Sequence, residues 1–351
     1  MIRRFFLLAA LFILTLTSGC VPTLIPTLVP DTALPVDADA QPVIIDTDMA
    51  ADDWLAILYL LGQPDLDILA ITVTGAGEAH CDAGTQNALD LALLAGRPDI
   101  PVSCGRETPL VGNHVFPEEW RKAVDAMFWL SLPVSDRNVA DETAVGMLTR
   151  IIRESPQKVH VITLGPLTNL AEALNADPGL VENLEMITIM GGAVDVPGNV
   201  GTSSSIQNQT AEWNFYVDPQ AALDVLEAGA PITLVPLDAT NDAPFTPAFY
   251  LDLKKDRGTA MAEFVHRVME VQVEQINTGK YYFWDPLAAA IADGEVSATF
   301  EEMTLSVVVA EGADSGRTLR SADGFPVRVA VDIEREQFYT LFLDGLNQRI
   351  P

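Results

Sequence analysis

A doubly wound α/β domain is the fold class that the sequence predicts, on three observations. Short apolar, β-rich runs alternate with amphipathic stretches from Pro42 onward. The runs are apolar on both faces, as strands covered by helices must be. The 351 residues suffice for one large α/β core without demanding a second domain. The first pair is "PVIID" and "DWLAILYLLG": Trp54, Ile57, Leu58 and Leu61 share one helical face, with Asp52 placed as N-cap and Gly62 as stop. "LAITVTG" with "AGTQNALDLALLAG" repeats the alternation, as do "VHVITLG" with "PLTNLAEALNA", then "MITIMGG" and "PITLVPLD". Near the C-terminus "MTLSVVVAEGADSGRTL" and "FPVRVAVDI" read as strands that finish the same domain, before a short helix "REQFYTLFLDGL". Ligands of such sheets bind at the strand ends, so the residues that follow each apolar run are the ones to weigh.

The chain is expected to divide into residues 1–20, 21–41 and 42–351. The opening "MIRRFFLLAALFILTLTSGC" has two arginines, an apolar run and small residues before Cys20, the grammar of an export signal. A spanning helix needs roughly 20 apolar residues, and "LTSGC" resembles the bacterial lipobox, so the expected product is an exported protein on the outer side of a bacterial membrane, touching it only through lipidated Cys20. An uncleaved signal anchor is the alternative. Residues 21–41, rich in Pro, Thr and Asp, read as an extended linker. Export permits a disulfide between Cys81 and Cys104; their spacing matches no metal pattern, and a bridge and two free thiols both stand. The formal charge of −29, from 49 acidic and 20 basic residues, repels nucleic acid and anionic lipid. The oligomeric state is open, a homo-oligomer included.

The stretch "VIIDTDMAADDW" sets Asp46, Asp48, Asp52 and Asp53 against the end of a strand. A helix N-terminus accounts for one or two acids. Four repel one another and raise one another's pKa unless a cation or a ligand compensates, and an all-oxygen set favours Ca²⁺ or Mg²⁺ over zinc. "DTDMA" also suggests the aspartyl nucleophile of haloacid dehalogenase-like phosphatases, but the later lysine and second acidic pair of that family have no match here.

"DTDMAADD", "LGPLTNLAEAL", "IMGGAVDVPGN", "AEWNFYVDPQAA" and "DPLAAA" resemble, in this order, the motifs of the nucleoside hydrolases, the family that includes the inosine-uridine preferring enzymes. The resemblance implies a single domain around a central mixed, mainly parallel sheet, with one Ca²⁺ at the C-terminal strand ends and hydrolysis of a nucleoside to base and ribose. By the same resemblance Asp48, Asp53, Asp285 and the carbonyl of Leu164 are the metal ligands, Asp52 accepts from a ribose hydroxyl, and Asn199, Glu212 and Asn214 grip the sugar, while Asp46 supports the turn. Such chemistry passes through an oxocarbenium-like sugar. It requires a water whose proton a base removes, here Asp48, a fixed ribose, since positioning can contribute ~7–11 kcal/mol, and a leaving group able to depart.

The leaving group is where the sequence departs from the family. "YYFWDPLAAA" has Trp284 where "HDPLA" is familiar, and an indole stacks on a base but cannot act as a general acid at neutral pH. After the second strand, "TGAGEAHCDAG" places Gly77 or Glu78 where an asparagine is common, with His80 next. His80 is therefore the expected catalytic acid, with His114 second and Glu78, a substrate-binding candidate, third. "DMAADD" for "DPGxDD" predicts a slightly different turn, and Trp213 with the inserted "GTSSSIQNQT" predicts a reshaped pocket wall. Trp284 also motivates a reading from another class, a nucleoside- or ribose-binding lipoprotein that kept the pocket and lost turnover.

Overall fold

The computed structural model describes residues 28–349; the export segment and Cys20 lie outside the described residues. β1 (Gln41–Thr47), β2 (Leu66–Val73), β3 (Val102–Cys104), β4 (Val159–Thr163), β5 (Leu184–Met190), β6 (Ile232–Val235), β7 (Ala298–Val307), β8 (Thr318–Arg320) and β9 (Phe325–Ile333) form one sheet. Its order is β3-β2-β1-β4-β5-β6-β9-β7-β8. All pairings from β3 across to β9 are parallel, and β7 runs antiparallel to both β8 and β9. The sheet is thus mixed and mainly parallel, with helices on both faces. β1 and β4 are buried along nearly their whole length, which is why their sequences lack alternation.

From β1 the chain moves outward to β2 and β3, then returns to the other side of β1 as β4. The β1/β4 seam is therefore a topological switch point, and a crevice opens where two connections leave in opposite directions. Leu164 N–H, just past β4, donates to the Asp46 carbonyl at 2.8 Å, closing the seam beneath it.

Three local expectations change, and the expected difference in the turn takes a definite form. Asp52 is not the N-cap: the Ala51–Leu61 helix starts after Ala50, without a side-chain cap. Asp53 in its first turn reaches back instead, accepting from Asp48 N–H at 3.2 Å, Met49 N–H at 3.3 Å and the Thr47 hydroxyl. The altered turn places its left-handed residue at Met49, φ 61, and leaves Ala50 extended. "MTLSVVVAEGADSGRTL" divides into β7, a turn through Gly316 and β8. The linker is docked over its described part: Leu28 is buried, and the Asp31 carboxylate caps the Ala260–Val271 helix through Ala260 N–H at 2.9 Å and Met261 N–H at 3.0 Å. Among the described residues no helix is long and apolar enough to cross a membrane.

Cys81, which opens the Cys81–Leu94 helix, is bridged to Cys104 at the end of β3. The bond closes a loop of 23 residues, and in the chain-entropy account it contributes about 3 kcal/mol. Urea unfolding of the oxidised protein and of Cys81→Ser/Cys104→Ser is expected to differ by about that amount; coincident midpoints would show that the bridge leaves the unfolded ensemble unconstrained.

Candidate active site

Each acid in "DTDMAADD" has its own surroundings. Asp46, still on β1, accepts from Thr72 Oγ1 of β2 at 2.6 Å and from Asn169 Nδ2 at 2.8 Å, so it braces the sheet beneath the turn. Asp48 accepts from Ala50 N–H at 3.4 Å and Glu78 N–H at 3.0 Å. It is held between two glycines: a Cβ on Gly77 would lie 2.1 Å from Asp48 Cβ, and one on Gly165 would lie 2.6 Å from it. These contacts explain the glycines of "TGAG" and "LGPL", because only bare backbone can approach so closely.

Asp285 comes from the first turn of the Trp284–Asp293 helix, so two helix N-termini converge on the crevice. Among the described residues, Asp52, Asp53 and Asp285 each offer an oxygen within 4.8 Å of the others. Asp53 Oδ2 and Asp285 Oδ1 are buried without a hydrogen-bond donor. Facing carboxylates with no donor between them are reconciled only by a shared proton or a cation, and an all-oxygen set fits a hard divalent ion. Asp52, assigned to the sugar, stands in the carboxylate group, and Asp48 adjoins it with its oxygens engaged by backbone. The Leu164 carbonyl lines the same space and accepts from Asn214 Nδ2 at 2.9 Å.

A cavity of about 530 Å³ opens above these groups. Asp48, Asp52, Asp53, Glu78, Leu164, Asn199, Glu212, Asn214, Trp284 and Asp285 all line it. Glu212 caps the Trp213–Val217 helix through Asn214 N–H at 2.8 Å and Phe215 N–H at 3.2 Å, and it also accepts from Gly192 N–H at 2.9 Å. Asn199 Oδ1 accepts from Trp213 N–H at 3.1 Å, leaving its amide nitrogen for a ligand. The inserted segment does shape the wall: Trp213 Nε1 donates to Ser203 Oγ at 2.8 Å and its ring stacks on Phe116 at 4.8 Å.

The two histidines are placed elsewhere. His80 does not line the cavity; it precedes the Cys81–Leu94 helix, with Nδ1 2.7 Å from Asp125 Oδ2 and its own N–H donated to Asp125 Oδ1 at 2.9 Å. His114 stacks on Tyr216 at 4.1 Å, with Nε2 3.0 Å from Glu311. Glu78 is the protonatable group of the three that faces the cavity. Phe116, Trp120 and Arg121 carry no signal in the sequence beyond the aromatic density of "HVFPEEWRK".

The site is strongly acidic. Burial, reinforced by Asp48, lifts Asp46 to about 7, and burial likewise lifts Asp48 to about 6. Burial is also the main cause that lifts Asp52 and Glu212 to about 7, and Asp53, Glu78 and Asp285 are pushed well above the usual carboxylate range by burial first and then by neighbouring charge, from Asp48 and Asp52 on Asp53 and Glu78 and from Asp52 and Asp53 on Asp285. A folded-state pKa raised above the unfolded value of 3.8 means that, between 3.8 and about 7, the folded chain holds more protons than the unfolded one. Stability is therefore greatest at the acid end of that window and falls as pH rises through it. After exhaustive chelation the protein is expected to melt at a lower temperature at pH 8 than at pH 5.5, read by differential scanning calorimetry. A flat or rising profile would mean that these carboxylates are already compensated by protein groups.

The profile of the family described as inosine-uridine preferring nucleoside hydrolase matches residues 43–340. Over 218 residues, 62% of this chain, the sequence is 36% identical to uridine nucleosidase 1 of Arabidopsis thaliana, and the match spans 62% of that protein's length. Pyrimidine-specific ribonucleoside hydrolase RihA of Salmonella arizonae is 31% identical over 320 residues, covering 88% of this chain and 98% of its own. The solved structure of the plant nucleoside hydrolase PpNRh1 superposes with a TM-score of 0.77 at 30% identity, over 87% of this chain and 98% of that one. With sheet, switch-point crevice and sequence in agreement over nearly the whole described length, the chain belongs to the inosine-uridine preferring nucleoside hydrolase family.

Proposed function

We propose that the protein hydrolyses the N-glycosidic bond of ribonucleosides to free base and ribose, with calcium held by Asp53, Asp285, the Leu164 carbonyl and one or both of Asp48 and Asp52. The observation that carries this reading is the pair of buried, donorless carboxylate oxygens on Asp53 and Asp285, in a cavity that aromatic side chains, Trp120, Trp213 and Trp284 among them, also line. The names of the relatives, uridine nucleosidase and ribonucleoside hydrolase, support the same reaction.

Calcium, when bound, orients and acidifies the attacking water and offers positive charge to sugar oxygens. Asp48 accepts the proton; its pKa of about 6 before the ion is bound is near the range a general base needs. Two backbone N–H groups fix its direction, so it is preorganised without the help of substrate. Asn199 presents its amide nitrogen to the ribose and Asn214, whose Nδ2 is held by the Leu164 and Met190 carbonyls, presents its amide oxygen, and Asp52 and Glu212 present carboxylates that also favour the cationic sugar as it develops. Trp284, which lines the cavity together with Trp120 and Trp213, offers stacking to the departing base. His80, engaged by Asp125, is a helix-start residue in this scheme, and Glu78 is the group able to hold a proton at the cavity wall.

The test is ribose release from inosine, uridine and cytidine by the protein lacking its first 20 residues, with calcium and after chelation. Calcium-dependent release is the expected result. Tight nucleoside binding with no ribose formed would instead support the binding-protein reading that Trp284 motivates. Export and lipidation at Cys20 belong to the same proposal, and are checked by membrane fractionation of the wild type against Cys20→Ala.

A further inference from the structure

We propose that Arg121 is a positioning residue for the reaction proposed above: its guanidinium clamps the loop that follows β2, so that this loop holds Asp48 in one orientation. Arg121 lies on the Glu118–Asp125 helix and is only 7% exposed. Its Nη2 donates to the carbonyls of Gly75 at 3.0 Å and Ala79 at 3.2 Å, one at each end of the loop. Between those two points the loop wraps Asp48. Glu78 N–H donates to its carboxylate at 3.0 Å, Ala79 N–H donates to its backbone carbonyl at 2.9 Å, and Gly77 packs against its Cβ. Tying Gly75 to Ala79 thus closes a ring of backbone around the base.

The same helix grips the loop's exit, since Asp125 accepts from His80 N–H at 2.9 Å. A cation as buried as Arg121 needs compensation. Among the described residues no carboxylate lies within ion-pair distance of it, and its charge acts on Asp48 and Glu78 across the loop, favouring their ionised forms. The choice of residue follows. Both bonds come from the one planar amino group Nη2, whose two hydrogens are held in the guanidinium plane, whereas a lysine ammonium turns freely at the end of a flexible stem. The inference rests on the hydrolase reading for its kinetic consequence and on geometry alone for the clamp.

The experiment uses Arg121→Gln and Arg121→Lys in the protein prepared for the nucleoside assay, with two readouts. Steady-state kinetics with calcium are expected to show kcat reduced about 100-fold in Arg121→Gln with KM within about threefold, and partial recovery in Arg121→Lys. Hydrogen exchange of peptides covering residues 74–80 is expected to accelerate about tenfold in Arg121→Gln, with the C-terminal helix Arg335–Leu346 unchanged. An unchanged kcat, or a kcat loss equal to the loss of folded protein with loop protection intact, overturns the proposal. If Arg121→Gln does not fold, Arg121→Lys carries both readouts, with wild-type values overturning the clamp. A wild type that releases no ribose sinks the hydrolase reading instead, and loop exchange alone then decides for or against the clamp.

Discussion

Asp285→Asn is expected to lower ribose release by about a thousandfold or more and, after chelation, to raise the melting temperature. The two effects have one cause. Asp285 is buried, its Oδ1 lacks a donor, and the charges of Asp52 and Asp53 bear on it. In the protein stripped of cations, removing one carboxylate relieves repulsion and a desolvation penalty. With calcium the order reverses, because an ion that binds only the folded state adds RT ln(1 + [L]/Kd), about 2.7 kcal/mol at a hundredfold excess over Kd, and the variant forgoes that gain. Melting curves of both proteins with and without calcium should therefore cross. A variant that keeps its activity, or that is destabilised in chelator as much as in calcium, would remove Asp285 from the ligand set.

Gly165→Ala is expected to lower kcat about 100-fold while leaving the fold intact. Its Cβ would stand 2.6 Å from Asp48 Cβ and 2.8 Å from Asp48 N. The second of these is backbone at the end of β1, which cannot swing aside as a side-chain tip can, so the Asp48 carboxylate moves. Gly146→Ala, whose Cβ would meet nothing nearer than Thr143 Oγ1 at 3.4 Å, serves as the control and should match the wild type. Near-wild-type kcat in Gly165→Ala, with the fold confirmed, would show that the position of Asp48 is not limiting.

The strand–helix alternation and the acid cluster were legible in the sequence because both are local. A strand end, its turn and the next helix start are contiguous, so "DTDMAADD", "AEWNF" and "WDPLAAA" each carry their site residues within a few positions. His80 was singled out for the same reason. It stands two residues from Glu78 in sequence, but it begins a helix and turns toward Asp125, a partner 45 residues away. Arg121 and Trp120 were not legible because, on a short amphipathic helix, neither residue type by itself points to a site; their value comes from the carbonyls and the cavity that the fold brings to them. Asp52 looked like a cap by residue type, yet Asp53, one position later, reaches back over the turn, and the geometry of a left-handed residue decided between them. Which of Asp48 and Asp52 stands nearest its fellow carboxylates is a matter of ångströms, beyond what residue spacing can express.

That left-handed residue also limits how the chain can change. The motif that this stretch resembles, "DPGxDD", has proline at the position of Met49, but proline is fixed near φ −65° and has no N–H, whereas Met49 sits at φ 61 and donates to Thr47 Oγ1 at 2.9 Å. Installing proline alone breaks the turn, and installing glycine at Ala50 alone adds freedom where the backbone is already extended. Of the two positions, Met49 is therefore the one on whose backbone the turn depends, through its left-handed φ and the bond from its N–H to Thr47 Oγ1.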